Sequence, residues 1–252
     1  MRIRPGIELG SLSDVGCQRK NNEDRYSYWE PTSEAEFQRK GRLAMVADGM
    51  GGYEGGQEAS RIAIETVEQV YQSTPHNDPQ AWLTAGFRAA HQRIQEQARK
   101  DPTLHGMGTT CTAVALLGNN LYYAHVGDSR LYLVRNGSLS LLTRDHSYVS
   151  RLVEEGILNA EEAESHPQRH ILTAALGSGV EVFPDTPPHP MLLEKDDVLV
   201  LCTDGLWGLV AESEIKSTVA SQPEQACKDL VALAKQRGGP DNITVQLLKL
   251  NA

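Results

Sequence analysis

The chain has 252 residues, of which 40% are hydrophobic and 23% charged, the balance of a folded globular protein rather than a disordered or fibrous one. Its formal net charge of −9 excludes the broad basic face that binding a nucleic-acid backbone requires, so a chain of this charge that handled phosphate would need cations to do it. No apolar run approaches the roughly 18 residues of a membrane span, and Met1 to Gly6 carries no signal-peptide core, which makes the cytoplasm the expected location and a membrane partner unexpected.

In chain order, Glu30 to Gly41 is polar and aperiodic and reads as a loop. Leu43 to Ala47 is an apolar run of strand length that ends in Asp48-Gly49. Ala59, Ile62, Ala63, Thr66, Val67 and Val70 then repeat at three and four, with Glu58, Arg61, Glu65 and Glu68 opposite, as an amphipathic helix requires. Leu83, Phe87, Ala90 and Ile94 repeat that pattern. Leu121 to Val126 is a second buried strand, ending in Gly127-Asp128. Leu131 to Arg135 and Ser138 to Leu142 form a hairpin around Asn136-Gly137, a pair that supplies the two positive-φ residues of a type I′ turn. From about Arg144 to Gly177 the chain is rich in His and Glu, with one short helix ending near Gly156 and another starting after Asn159; this stretch reads as a flap. Val198 to Thr203 runs into Asp204-Gly205, and Ala226, Leu230 and Leu233 mark a last helix. With no repeat, low-complexity tract or linker, residues 1–252 are expected to form one domain, and the four scattered cysteines to be reduced and mostly buried.

A single Asp-Gly at a strand end is the ordinary signature of a tight turn. Here Asp48, Asp128, Asp204 and Asp241 all stand at the edges of apolar strands, next to glycine or just beyond Gly238-Gly239-Pro240. If the strand ends converge, these carboxylates repel one another and a cation resolves the repulsion. Oxygen donors without zinc-type His or Cys spacing suit Mg²⁺ or Mn²⁺, and the absence of a side chain at Gly49 leaves its carbonyl free to approach a metal. Other phosphate chemistries lack their equipment. No cysteine has an arginine six positions later, where Glu23, Leu117, Gly208 and Leu233 stand instead, and neither a G-x-S-x-G elbow nor a G-x-x-x-x-G-K-[ST] loop occurs. A metal-activated water remains.

The segments Arg19-Lys-Asn-Asn-Glu23-Asp24, Val46-Ala-Asp48-Gly49-Met-Gly51-Gly52, Gly108-Thr109-Thr110, Val126-Gly127-Asp128-Ser129-Arg130, Thr203-Asp204-Gly205 and Gly239-Pro-Asp241-Asn242-Ile-Thr-Val245 follow one another in the order of a known family. Through them the sequence resembles the metal-dependent protein phosphatases of type 2C (PPM), in the stand-alone bacterial form. The resemblance implies an α+β fold, a four-layer α-β-β-α sandwich of two antiparallel sheets flanked by helices. It also implies hydrolysis of phosphoserine and phosphothreonine on phosphorylated proteins by two Mg²⁺ or Mn²⁺ ions, with a weaker third. By the same resemblance Asp48 bridges two metals, Asp204 and Asp241 complete the first site, and the Gly49 carbonyl serves the second. Glu23 and Asp24 hold metal-bound waters, Asp128 with Asp204 takes the third ion, and Arg19 binds the phosphate. One feature departs from the family: where many relatives carry the histidine assigned to protonating the leaving group, this chain has Met50 and Tyr53. A metal-bound water, or His166 or His170 from the flap, are the remaining acids. The competing readings are a phospho-dependent signalling module of the same fold with little or no catalysis, a structural protein whose Asp-Gly pairs are only turns, and a two-metal esterase or nuclease, the last disfavoured by the acidic charge. A monomer is expected.

Overall fold

The computed structural model describes residues 3–51, 55–75 and 78–251. In chain order the elements are β1 (Ile7–Asp14), β2 (Arg25–Trp29), α1 (Glu34–Lys40), β3 (Arg42–Ala47), β4 (Gly49–Met50), α2 (Gly55–Ser73), α3 (Pro79–Lys100), β5 (Gly108–Thr109), β6 (Cys111–Leu117) and β7 (Asn120–Val126). They continue with β8 (Arg130–Arg135), β9 (Ser138–Leu141), α4 (Tyr148–Glu154), α5 (Ala160–Ser165), β10 (Met191–Leu192), β11 (Val198–Cys202), α6 (Asp204–Trp207), α7 (Glu212–Thr218), α8 (Pro223–Gln236) and β12 (Ile243–Leu250).

Two five-stranded sheets, β1-β12-β11-β8-β9 and β10-β7-β6-β3-β2, carry the fold, and every pairing within them is antiparallel. The two-residue alternation of the strands decides what faces what. In β3, Leu43, Met45 and Ala47 turn toward α2 and α3, while Ala44 and Val46 turn toward the other sheet. In β11, Val198, Val200 and Cys202 meet α7 and α8, while Leu199 and Leu201 fill the space between the sheets. Three apolar clusters therefore separate four layers, helix on sheet on sheet on helix, as expected. Covering both faces also explains why these antiparallel strands read as continuous apolar runs, since neither face is left to water.

The expected hairpin forms with Arg135 opposite Ser138 and positive φ at both Asn136 and Gly137. The flap helices are α4, followed by Gly156 at φ +70°, and α5, where Asn159 and Glu162 form a reciprocal capping box. The reading of Glu30 to Gly41 as a loop is corrected, because α1 occupies most of it. Ser33 Oγ accepts from the Glu36 amide at 3.1 Å, acidic residues fill the first turn and basic ones the last, and the Arg4 and Arg42 guanidinium groups lie 4.8 and 4.7 Å from the Phe37 ring. Lys40 then points inward, donating to the Tyr71 and Thr74 carbonyls at 2.8 and 2.6 Å over the face of Trp82, so α1 is fixed by tertiary contacts that no periodicity announces. All four cysteines are unpaired; Cys111, Cys202 and Cys227 are buried, whereas Cys17 is exposed.

Candidate active site

Antiparallel register brings the acidic strand ends to one end of the sandwich. Arg25 at the start of β2 stands opposite Ala47 at the end of β3; Asp14 at the end of β1 faces Ile243 at the start of β12; Cys202 at the end of β11 faces both Val245 and Arg130; Val126 at the end of β7 faces Cys111. The residues just beyond these ends are Glu23 and Asp24, Asp48 and Gly49, Asp241, Asp204, and Asp128. Hydrogen bonds then fix the loops. Asn242 Oδ1 accepts from the Glu23 amide at 2.7 Å, and its Nδ2 donates to Val15 and Asn21 carbonyls, stapling the loop that carries Arg19 to the strand after Asp241. The Asp48 amide donates to Thr110 Oγ1 at 2.9 Å, and the Asp48 carbonyl accepts from Thr109 Oγ1 at 2.8 Å. A Cβ on Gly49 would stand 2.0 Å from the Gly56 carbonyl oxygen and 2.8 Å from that of Glu23, so only glycine fits between the β3 end and α2.

The electrostatics of this end are those of crowded like charges. Asp48, packed deep while still touching solvent, has its carboxyl pushed well above the ordinary range, first by burial and then by Asp24, Asp204, Asp128 and Asp241. Burial pushes Asp24 up to about 7 against the nearby Thr244 and Thr203 hydroxyls, with Asp204 and Asp241 adding to the rise. Asp128 is raised by burial and then by Asp204 and Asp145. Asp204 is raised by burial and Asp241, opposed by a hydrogen bond from Asp48 and by His170. The Asp24 Oδ1 and Asp204 Oδ1 atoms are buried without a hydrogen-bond partner among the described residues. Arg19 brings positive charge to this end: its Nη2 lies 2.7 Å from Asp241 Oδ2, and Asp241, Glu23 and Asp48 raise it against the opposing effect of burial.

Orphaned carboxylate oxygens, mutual repulsion and a donor set made only of oxygen fit hard divalent cations. Among the described residues no three His, Cys, Asp or Glu side chains enclose an ion unaided. The fit is therefore to an open site, completed by main-chain oxygen and water, as Mg²⁺ in particular prefers.

Of the two flap histidines, His170 reaches this end, with Nδ1 3.9 Å from Asp204 Oδ2. His166 makes no hydrogen bond or ion pair with the clustered aspartates among the described residues; it follows α5, accepts from the Gln168 amide at 3.1 Å and lies against the Tyr148 ring. Met50 pairs with Gly108 across the short β4-β5 ribbon, and Tyr53, like Gly52, lies outside the described residues. Sequence reasoning missed Trp207, whose Nε1 donates to the Asp128 carbonyl at 2.9 Å while the Arg130 guanidinium stacks 3.7 Å from its ring and grips Asp145 through Nε and Nη2. It also missed the staple by Asn242, whose one signal was its place in the Gly-Pro-Asp-Asn run.

Comparison with known proteins gives a consistent result. The chain is 38% identical over 251 residues to the protein phosphatase PhpP of Streptococcus pneumoniae, covering 97% of this chain and 98% of that one. Its fold superposes on a serine/threonine phosphatase of S. agalactiae with a TM-score of 0.88 at 37% identity, covering 97% and 100% of the two chains. It also superposes on the catalytic domain of serine threonine protein phosphatase PstP in complex with two manganese ions, with a TM-score of 0.84 at 34% identity and coverage of 98% and 99%. The sequence model described as Protein phosphatase 2C matches residues 18–236, which takes in the Arg19 loop, the helices and most strand ends. The chain belongs to the protein phosphatase 2C family.

Proposed function

We propose that this chain is a metal-dependent serine/threonine protein phosphatase whose working residues are Arg19, Asp48, Asp204 and Asp241. The observation that carries the proposal is the meeting of five aspartates from separate strands, two of them with buried oxygens that lack a partner among the described residues, beside one partly exposed arginine. The names of the relatives and the manganese of PstP support it.

In this reading Asp48, Asp204, Asp241 and the Gly49 carbonyl hold two Mg²⁺ or Mn²⁺ ions, Glu23 and Asp24 orient water around them, and Asp128 with Asp204 holds a weaker third. When bound, such ions polarise the phosphoryl oxygens and acidify a water for in-line attack on phosphorus. Arg19 supplies the rest of the phosphate grip. Its side chain is 52% exposed and spends one nitrogen on Asp241, which leaves other N–H groups of the rigid fork for phosphoryl oxygens. His170 stands at the mouth, where a protonated ring can donate to the departing serine or threonine oxygen; Met50 carries no transferable proton. The same reading takes residues 1–252 as one catalytic domain, a cytoplasmic monomer acting on phosphorylated proteins rather than on nucleic acid or a membrane. Among the described residues no helix is long and apolar enough to cross a membrane.

The test is phosphate release from a phosphothreonine peptide in Mn²⁺, with EDTA as the control. Release that stops with EDTA and returns with Mn²⁺ is expected. Binding of the phosphopeptide without release would make the chain a signalling module instead, and release indifferent to EDTA would remove the metal.

A further inference from the structure

We infer that His125 and His146 are positioning residues for Asp128: their two imidazoles grip the Gly127 peptide from both sides and so aim the carboxylate that follows it. The inference rests on the proposed role of Asp128 above.

The hydrogen-bond partners assign every proton. The Gly127 amide can only donate, and it donates to His146 Nδ1 at 3.2 Å, so a neutral His146 carries its own proton on Nε2. That nitrogen lies 3.1 Å from Asp185 Oδ2, close but off line for a hydrogen bond. The Gly127 and Arg144 carbonyls can only accept, and both lie 3.0 Å from His125 Nε2, which must therefore be protonated. His125 Nδ1 is then left to accept from Thr112 Oγ1 at 2.8 Å, nearer to that hydroxyl than its other acceptor, the Ser129 carbonyl at 3.2 Å. Burial, with His146 beside it, pushes His125 down to about 3, so this ring stays neutral. The His146 amide closes the clamp by donating to the Gly127 carbonyl at 2.7 Å. Asp185 is brought to the pair by main-chain bonds in both directions with His125, at 3.0 and 2.9 Å.

The peptide held in this way is unusual. Gly127 sits at φ +108°, and a Cβ there would stand 2.5 Å from Thr110 Cβ, so no residue with a side chain is accommodated. On its far side Asp128 is tied by Trp207 Nε1 to its carbonyl and by the hydroxyl pair of Ser129 with Thr110, 2.7 Å apart. The need for restraint is electrostatic. The Asp128 carboxyl feels the charge of Asp204, and repulsion would swing it away from that neighbour unless the backbone were held. Among the described residues neither histidine hydrogen-bonds to the carboxylate itself, so both act through the main chain.

The experiment compares His146→Ala, which deletes the acceptor, with His146→Asn, whose side-chain oxygen stands near the place of Nδ1, and with Asp128→Ala. Expected for His146→Ala is a fall of about 10-fold in kcat and a similar rise in the Mn²⁺ concentration for half-maximal activity, the scale on which outer partners act on a metal site, with KM for the phosphopeptide unchanged. His146→Asn should recover most of both. Independently of activity, long-range ¹⁵N NMR of the metal-free wild type should find both rings neutral with the proton on Nε2. Wild-type metal dependence in His146→Ala, or a proton on Nδ1 of either ring, overturns the clamp. If Asp128→Ala leaves turnover at limiting Mn²⁺ unchanged, the role of Asp128 falls and the inference with it. If Asp128→Ala is impaired and His146→Ala is not, the clamp alone falls. Should circular dichroism find His146→Ala unfolded, the NMR assignment and His125→Gln, which keeps a donor near the Nε2 position and should behave as wild type, decide.

Discussion

The protein buries carboxylates in two places and treats them differently. Away from the sandwich mouth three of them come with their own cation: Asp197, 1% exposed, takes Arg135 Nε at 2.9 Å and the Glu194 amide at 2.7 Å; Asp145 takes two nitrogens of Arg130; Glu30 takes Arg42, the Tyr28 hydroxyl and the Arg4 amide. At the mouth, Asp24, Asp48, Asp128 and Asp204 have no lysine or arginine ion pair among the described residues, and Arg19 is committed to Asp241. The same chain thus neutralises these three acids and leaves those at the mouth short of positive charge. The deficit lowers the stability of the metal-free fold and, in the proposed function, supplies the affinity for divalent ions.

That contrast can be broken by substitution. Asp48→Asn removes charge at nearly constant volume, and turnover is expected to fall by about 10³-fold or more, roughly 4 kcal/mol of barrier. The metal-free melting temperature should hold or rise as repulsion is relieved; a lower one would mean a folding defect and would spoil the contrast. Asp197→Ala should do the reverse. Losing the buried partner of Arg135 and the acceptor of the Glu194 amide is expected to cost about 2–3 kcal/mol, below the usual range for a buried pair because the arginine is partly exposed and keeps Glu194 at 3.2 Å, while kcat stays at wild type. Melting curves beside kinetics read both quantities. Arg19→Ala should raise KM for a phosphopeptide on the order of 10- to 100-fold, the worth of charge-assisted hydrogen bonds; an unchanged KM would reduce this residue to a partner of Asp241.

The smallest expected effect sharpens the comparison instead. Asp24 titrates near 7 when folded, above the roughly 3.9 of an unfolded aspartate, so the fold favours its protonated form. Its contribution to stability is complete below about pH 4 and is lost as pH rises through 7. In EDTA the melting temperature should therefore decline between pH 5 and pH 8 by a few degrees, and Mn²⁺ should remove most of that slope. A flat profile in EDTA would argue that the carboxylates are not crowded.

Much of the site was legible because strands announce their own ends. Asp48, Asp128 and Asp204 each close an apolar run, and antiparallel pairing does the rest. Helix α1 was not legible, since its one inward aromatic, Phe37, is held by arginines from elsewhere and its buried Lys40 looks like a surface charge in sequence. Trp207, His125 and His146 were invisible for a related reason: each is bonded to main-chain groups, and a peptide N–H or carbonyl leaves no mark in a sequence. His170 was legible only as one of two equals, and the flap's folding, with Tyr148 bonded to the Ile171 carbonyl, is what separates it from His166.

The pairing of β1 with β12 joins segments as far apart as Glu8 and Asn251, which are 243 positions apart along the chain. Asp241 enters just before β12, after every other acidic strand end has been synthesised. A ribosome-bound chain that has folded its helices and second sheet still lacks one wall of the phosphate site until that strand emerges, and contacts of such long range are slow to form. With Asp241 in its proposed role, phosphatase activity therefore waits for the completion of the first sheet.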